Sequence, residues 1–536
     1  MRWLRSLCAS RALLLIILLG LAAVAWANLP YFTGYLVQSD ELTYSGFFIF
    51  EQDGFSYLAK MRQGAEGGWL FHLPYTTEPH QGVLLFVLYL VMGKAACLLH
   101  LPLTAAYHLT RLVGSGLLVA AGARFVAGLA VTPRWQLISW ALILFAGGAG
   151  WLISFLDPQY VAFASVTPDA FVYSVLYGPP HTIIALALLL WIIPGITSQL
   201  QAPSGPAPRG RWLALMAAVS LMSLARPEYM GVLLSVLGSY WLALNLSRRC
   251  ILVRSAAALA GITLPGTLYA LYVLYISQAN PAIAAWTAQN PFYTPPLPNL
   301  LVGIGPLMGL GVLGVACGRW WDDERLLLPA VWVATLPLLL YLPLSLNRRL
   351  IGGAQFPLAL AAGYWVDQHM LPWLGRIRWR WALAGPAAVL LVTILVSYPV
   401  LFGLGAIGFV ASRPGQLFLS SDERAGLEWL AQKHDRPVVL SAEQTGNRIP
   451  AFSNALPVLG HAIETLHVEK KRSDVTRFYA PDTPSTDRQA ILRRYAVTHV
   501  WWGPSEQALG AFNPEVLPAF RLAFQSGAVQ VWSGAP

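Results

Sequence analysis

Long apolar runs constrain this chain more than any other feature. They cover 12–28, 82–99, 104–129, 135–156, 181–197, 212–225, 228–246, 256–277, 299–317, 326–345, 350–366 and 381–403. Most match the roughly 17–25 residues that a helix needs to cross the hydrocarbon layer of a bilayer. In that medium each backbone N–H and C=O must be bonded within its own segment, so such runs fold as helices. Only 11% of the residues are charged and 56% are hydrophobic, which excludes a water-soluble fold for 536 residues.

The arginines orient these runs. Simple alternation through all of them puts the basic clusters after the third run on the wrong side. If 82–99 lies along the outer surface, or re-enters, instead of crossing, 11 spans remain. Then Arg2, Arg5 and Arg11, Arg124 and Arg134, Arg209 and Arg211, Arg248, Arg249 and Arg254, Arg319 and Arg325, and Arg376, Arg378 and Arg380 all face the cytoplasm. His80, Gly82, Gly93 and Lys94 soften the 82–99 run, in keeping with a surface helix. The same count puts 29–103, 157–180, 278–298, Asn347-Arg348-Arg349 and the tail from Gly403 outside. The weakest span is 212–225, which ends at Arg226-Pro227-Glu228 and suits a broken pair with 228–246. The net charge of +10 is topology signal and does not imply nucleic acid. The first run follows three arginines, as in a signal peptide, but Ala25-Trp26-Ala27-Asn28 is a weak cleavage site, so an uncleaved anchor is expected. Cys8, Cys97, Cys250 and Cys317 are scattered singly and make no metal spacing.

The tail differs in kind. From Ser420 to Pro536 charge is ordinary and no run is long enough to span. Asp422 to Ala431 reads as an amphipathic helix with an acidic start, Arg488 to Tyr495 as another, and Pro437–Ser441 and Val497–Gly503 as buried strands. Strands alternating with helices predict a small α/β domain. The expected organisation is an all-α membrane domain over 1–403, with a large first outer loop at 29–103 containing surface helices, and an extracytoplasmic α/β domain over 404–536. Ala202 to Gly210, rich in Pro and Gly, is a short cytoplasmic linker.

Carboxylates concentrate early. Between Tyr31 and Gly82 lie Asp40, Glu41, Glu51, Asp53, Glu66 and Glu78, against only Lys60 and Arg62. Asp53 starts a helical pattern continued by Tyr57, Lys60 and Met61, so it is either an N-cap contributing about 1 kcal/mol or a functional carboxylate at the membrane face. Glu78-Pro79-His80 suits a cation or a phosphate, although metal sets need three or four ligands. Asp157-Pro158 is a helix stop, which leaves Asp169 as the acidic candidate of the second outer loop; His181 opens the next span as an aqueous-facing or a capping histidine. Arg226 and Glu228 interrupt an apolar region, where ionisable groups pair or serve a pathway. Arg348 and Arg349 break the charge rule by lying outside. Two guanidiniums at the end of a span suit bidentate binding of a lipid phosphate; the bland alternative is snorkelling to headgroups. In the tail, Gly446–Pro450 and Gly460–Thr465 read as loops that either hold an acceptor or, by default, belong to a stabilising cap, and Glu469-Lys470-Lys471-Arg472 as a solvated face.

An acidic residue soon after the first span, Tyr57 four positions on, Gly67-Gly68-Trp69-Leu70, and a Pro-containing turn into an apolar helix together resemble the first outer loop of GT-C glycosyltransferases. These are membrane enzymes that use polyprenyl-phosphate-linked sugars, such as protein mannosyltransferases, aminoarabinose transferases and oligosaccharyltransferase catalytic subunits. The resemblance implies an enzyme of the inner (plasma) membrane. It would move a sugar from a polyprenyl-phosphate donor to a glycan, lipid or protein acceptor at the outer face. Asp53 is then the catalytic residue and Arg348 and Arg349 the donor-phosphate ligands. Glu51, Glu78, His80, Asp169 and His181 become substrate or metal ligands, with room for a divalent cation, Mg or Mn. The family motif is usually Asp-Glu or Asp-Asp, whereas this chain has Asp53-Gly54, so Glu51 or Glu78 would supply the second carboxylate. The competing readings are a lipid or solute transporter and a non-catalytic scaffold of the same fold. Two matching halves with paired broken helices would mark a transporter, and none is visible.

Overall fold

The computed structural model describes residues 2–157, 167–201, 209–318, 320, 324–376, 385, 398–510, 512, 514–517 and 519–535. The chain is a polytopic membrane protein, mostly helical with small sheets. Among the described residues seven helices are long and apolar enough to cross a bilayer: Arg11–Val37, Leu103–Leu129, Pro133–Ser154, Pro180–Gln201, Tyr229–Arg248, Val253–Ala279 and Leu297–Cys317. Leu326–Tyr341 and Tyr398–Ala411 are shorter apolar helices. Most of the expected span 381–403, and most of the 202–210 linker, lie outside the described residues.

The chain divides into two compact units. The first comprises Met1–Leu29, Thr110–Tyr272 and Pro291–Gly405. Two buried polar side chains organise it. Gln355 donates to the carbonyls of Leu142 and Ala146 at 3.1 and 3.0 Å and accepts from the Val172 amide at 2.6 Å. It thereby satisfies the backbone where the helix Pro133–Phe145 stops before Gly150–Leu156. The candidate span Pro133–Ser154 is thus interrupted at 146–149 and crosses as two helical pieces in line with the run 135–156. Arg111, 1% exposed, donates to the Leu176 carbonyl and to the Asn28 side chain. The chain also breaks between helices Arg209–Ala225 and Tyr229–Arg248, at the Arg226-Pro227-Glu228 step. Asp157 caps the end of Gly150–Leu156, as the helix-stop reading expects.

The second unit comprises Pro30–Leu109, Val273–Asn290 and Ala406–Pro536. Its helix Val87–Leu98 has 12 residues and reaches about 18 Å, too short for a hydrocarbon layer of about 30 Å. This agrees with a surface role for the 82–99 run. The helix packs on Glu51–Ala65 through two glycines. A Cβ on Gly64 would strike the Leu90 carbonyl, and one on Gly93 would strike the Met61 carbonyl, so only glycine permits this approach. Phe55, Leu58, Met61, Tyr89, Met92 and Ala451 fill the core around the pair.

The tail of this unit holds a five-stranded sheet in the order Leu456–Pro457, Val438–Leu440, His499–Trp502, Val529–Gly534, Phe520–Ser526. The first three strands are parallel and the last two are antiparallel to their neighbours. Helices Ser421–Ala431, Glu443–Phe452, Val468–Tyr479 and Ser485–Arg494 alternate with the strands. The first is capped by Ser420, whose hydroxyl accepts from the Glu423 amide at 3.1 Å. A separate two-stranded ladder pairs Leu42–Tyr44 with Phe418–Ser420. Two local expectations fail here. Gly446–Pro450 is not a loop but lies within the helix Glu443–Phe452, where Gly446 lets the helix touch the Leu459 carbonyl. Lys471 is not on a solvated face. Its side chain is 1% exposed, although Glu469 and Lys470 beside it are exposed.

Candidate functional site

The helix Glu51–Ala65 carries Asp53, Ser56 and Lys60 at intervals of three and four residues, which puts all three on one face. That face meets the segment Gly460–Thr465, some four hundred positions along the chain. Asp53 is not the N-cap. Phe50 precedes the helix in a left-handed conformation without a side-chain cap bond, and Asp53 lies in the first turn. Its Oδ1 stands 3.2 Å from Nε2 of His461. The other ring nitrogen, Nδ1, accepts the backbone amides of Ile463 and Glu464 at 3.1 and 3.3 Å. A neutral imidazole that accepts at Nδ1 carries its proton on Nε2, so His461 donates to Asp53. The imidazole is buried, while the Asp53 side chain is 44% exposed and within reach of a ligand.

Two helical turns further on, Lys60 and Glu464 form an ion pair at 2.7 Å, with side chains only 1% and 7% exposed. Ser56 donates to the same Glu464 oxygen at 2.6 Å and also contacts the Lys60 ammonium. The ammonium lies 4.3 Å from the Phe86 ring centre. Burial by itself would raise the Glu464 carboxyl; the Lys60 ammonium outweighs it and holds the carboxyl below the usual carboxylate range. Burial, followed by the charges of Glu464 and Asp53, pushes the Tyr75 phenol well up. That phenol donates to the Asn447 carbonyl at 3.0 Å, and its ring lies 5.6 Å from the His461 ring.

The remaining candidates of the first outer loop have other partners. Glu51 lies in the first turn with Asp53. Glu78 pairs with Lys471 at 2.8 Å and contacts the Thr76 hydroxyl. Burial opposes ionisation of Glu78, but Lys471 and Thr76 hold its carboxyl low. His80 accepts the Leu73 amide on Nε2 at 2.9 Å, and its Nδ1 lies 2.8 Å from the Glu78 carbonyl. Glu78 and His80 therefore brace the 71–80 turn.

In the first unit a second cluster forms. Arg226, buried, grips Asp169 with two parallel bonds of 2.9 and 3.1 Å, bonds Glu228 at 2.9 and 3.0 Å, and donates to Thr182 at 2.9 Å. Arg349 reaches the same Glu228 oxygen at 3.5 Å. The guanidiniums of Arg349 and Arg348 lie over the Phe292 ring at 3.9 and 4.9 Å. The backbone around Phe292 is tied to theirs: the Arg348 amide donates to the Phe292 carbonyl at 3.1 Å, and Asn347 accepts the Thr294 amide at 2.7 Å. Burial, then the neighbouring Arg349, lowers Arg348 from its ordinary value. His181 sits in the first turn of Pro180–Gln201.

Among the described residues no three His, Cys, Asp or Glu side chains gather as a metal set. Asp169 is engaged by a guanidinium through both oxygens, and Asp53 by an imidazole donor. These donor sets do not fit a divalent cation. Sequence reasoning had placed His461 and Glu464 in a cap. Their only local signal is Gly460-His461-x-x-Glu464-Thr465, too short to name partners in a distant helix.

No protein-family model matches the chain, and no curated protein matches it. Solved structures do. The arabinofuranosyltransferase AftD from Mycobacteria matches with a TM-score of 0.55 and 15% identity, over 96% of this chain and 41% of that one. The oligosaccharyltransferase of Archaeoglobus fulgidus matches with a TM-score of 0.51 and 13% identity, over 91% and 69%. ArnT from Cupriavidus metallidurans covers 98% of both chains at 13% identity, with a TM-score of 0.49. The first two carry the structural argument: this chain has the fold of the GT-C membrane glycosyltransferases.

Proposed function

We propose that this protein is a membrane glycosyltransferase that moves a sugar from a polyprenyl-phosphate-linked donor to an acceptor at the outer face of the inner membrane. The observation that carries the reading is Asp53. It is a carboxylate reachable by a ligand, on the first helix after the first span, in a chain with the fold of an oligosaccharyltransferase and an arabinofuranosyltransferase. A carboxylate that accepts one donor bond and stays reachable suits a general base. In the proposed step the acceptor hydroxyl oxygen bonds to the anomeric carbon of the sugar, and its proton passes to Asp53. The bond between that carbon and the phosphate oxygen breaks, and polyprenyl phosphate leaves with the electron pair. As a separate part of the proposal, Arg348 and Arg349, stacked on Phe292 in the first unit, bind an anionic lipid phosphate.

The same reading gives the chain 11 spans, with the N-terminus in the cytoplasm. Residues 1–403 form the membrane domain, and 404–536 an extracytoplasmic α/β domain. The positive-inside pattern of the arginines supports it. The acceptor is a glycan, a lipid or a protein. The test is turnover of an undecaprenyl-phosphate sugar by the purified protein, followed as release of undecaprenyl phosphate together with glycosylated acceptor. Asp53→Asn keeps the size and polarity of the side chain and removes the base. Transfer should fall at least a hundredfold, within the range general base catalysis supplies, with folding intact. Wild-type turnover in Asp53→Asn removes Asp53 from the chemistry. Movement of the intact donor without cleavage supports the transporter instead.

A further inference from the structure

We infer that His461 is the positioning residue of the Asp53 carboxylate, delivered when the segment Gly460–Thr465 docks on the polar face of the helix Glu51–Ala65. The role as catalyst rests on the reading of Asp53 given above; the docking and the proton placement do not.

The segment is held on several sides. Lys60 and Ser56 bind Glu464 from the helix. Gln289, at the end of the helix Pro281–Gln289, donates to the Thr465 carbonyl at 3.1 Å and accepts the His467 amide at 3.0 Å. The Thr465 hydroxyl accepts the Gly460 amide at 3.2 Å, closing the segment on itself. A Cβ on Gly460 would press on the Tyr75 ring and the Gly446 carbonyl, so the glycine lets His461 enter. These contacts fix the backbone amides of Ile463 and Glu464, and those amides fix the imidazole. With Nδ1 committed as acceptor of both, the ring has one proton to offer, on Nε2, and Asp53 Oδ1 stands 3.2 Å from it. A donor aimed at a carboxylate favours its ionised form and fixes its rotamer. His461 therefore holds the Asp53 carboxylate in one orientation. The Lys60–Glu464 pair acts one step behind, by locking the loop that carries the ring.

The experiment compares His461→Gln with His461→Asn in the purified full chain. The Gln amide N–H reaches the place of Nε2; the Asn amide falls short. The first readout is carbodiimide-driven amine labelling of Asp53, located by peptide mass spectrometry between pH 4 and 8. It reports the protonated carboxyl and needs no substrate. Glu51 on the same helix turn, Tyr75, Glu464 and Lys60 are unchanged in both variants, so their contributions cancel. The half-labelling pH should rise by about one unit, a tenfold change in the proton equilibrium, in His461→Asn and stay near wild type in His461→Gln. The second readout is transfer from an undecaprenyl-phosphate sugar. Its kcat should fall tenfold or more in His461→Asn with donor KM within twofold, and recover in His461→Gln. Identical labelling curves in all three proteins overturn the inference. So does equal loss of kcat in both variants, which marks a purely structural histidine. A labelling shift in His461→Asn, together with a wild-type protein that transfers no sugar, upholds the positioning and removes the glycosyltransferase reading.

Discussion

At the scale of single residues, the side chains that matter most are polar groups buried with their partners. Lys60 and Glu464 are the sharpest case, an ion pair almost wholly withdrawn from water. Taking two charges out of water costs several kcal/mol each, and their mutual contact, with the Ser56 hydroxyl and the Phe86 ring, offsets it. Lys60→Met leaves Glu464 buried without its cation, beside an oxygen, Oε2, that has no hydrogen-bond partner. Chemical unfolding should show a loss of about 3–5 kcal/mol. Lys60→Met combined with Glu464→Met removes both charges and should recover most of that loss, because no unpaired ion remains. Equal destabilisation of the single and double variants would show that the pair contributes by shape alone. Asp53 and the arginines Arg348 and Arg349 stood out in the sequence through local context alone: an acidic start to a helix, and two cations on the side the charge rule forbids. Lys471 did not, because a run of four charges reads as surface until the Glu78 carboxylate is seen against it.

At the scale of elements, the tail was largely legible. Strands were expected at Pro437–Ser441 and Val497–Gly503 and occur at Val438–Leu440 and His499–Trp502, paired in parallel. Apolar residues in short runs between turn signals suffice for that. The short helix Pro504–Gln507 after the second strand carries Glu506, which is wholly buried. It accepts the Ala442 amide at 2.8 Å and the Gly503 amide at 3.0 Å, and so ties together the ends of the two parallel strands. Burial pushes its carboxyl up from 4.5 to about 7. The folded state therefore holds this proton more tightly than the unfolded chain does. Its contribution to stability is complete below pH 4.5 and is lost as pH rises through about 7. The shift corresponds to about 3 kcal/mol. Glu506→Gln, which cannot ionise, should flatten the fall in unfolding midpoint between pH 5 and pH 8. An unchanged slope would place the pH dependence in other groups.

At the scale of the whole molecule, hydropathy and arginine placement make the strongest statement, a chain threaded many times through a bilayer. The proposed eleven spans would put Arg209 and Ser485 on opposite sides. Single-cysteine variants at these two positions, in a background with Cys8, Cys97, Cys250 and Cys317 replaced, should react with an impermeant maleimide from opposite faces of sealed vesicles. Labelling of both from one face would refute the topology. Composition and periodicity were enough for the membrane class, the mostly helical character, the short apolar helix Val87–Leu98 and the strands and helices of the tail. Each of these depends on the transfer of side chains from water and on spacings within a single element. Only the tertiary structure decided which polar groups meet. Asp53 with His461, Lys60 with Glu464, Glu78 with Lys471 and Arg226 with Asp169 are contacts between segments that no local period relates. Such pairs form because a charged or hydrogen-bonding group withdrawn from water must find a partner, and packing, not spacing along the chain, determines which one lies within reach.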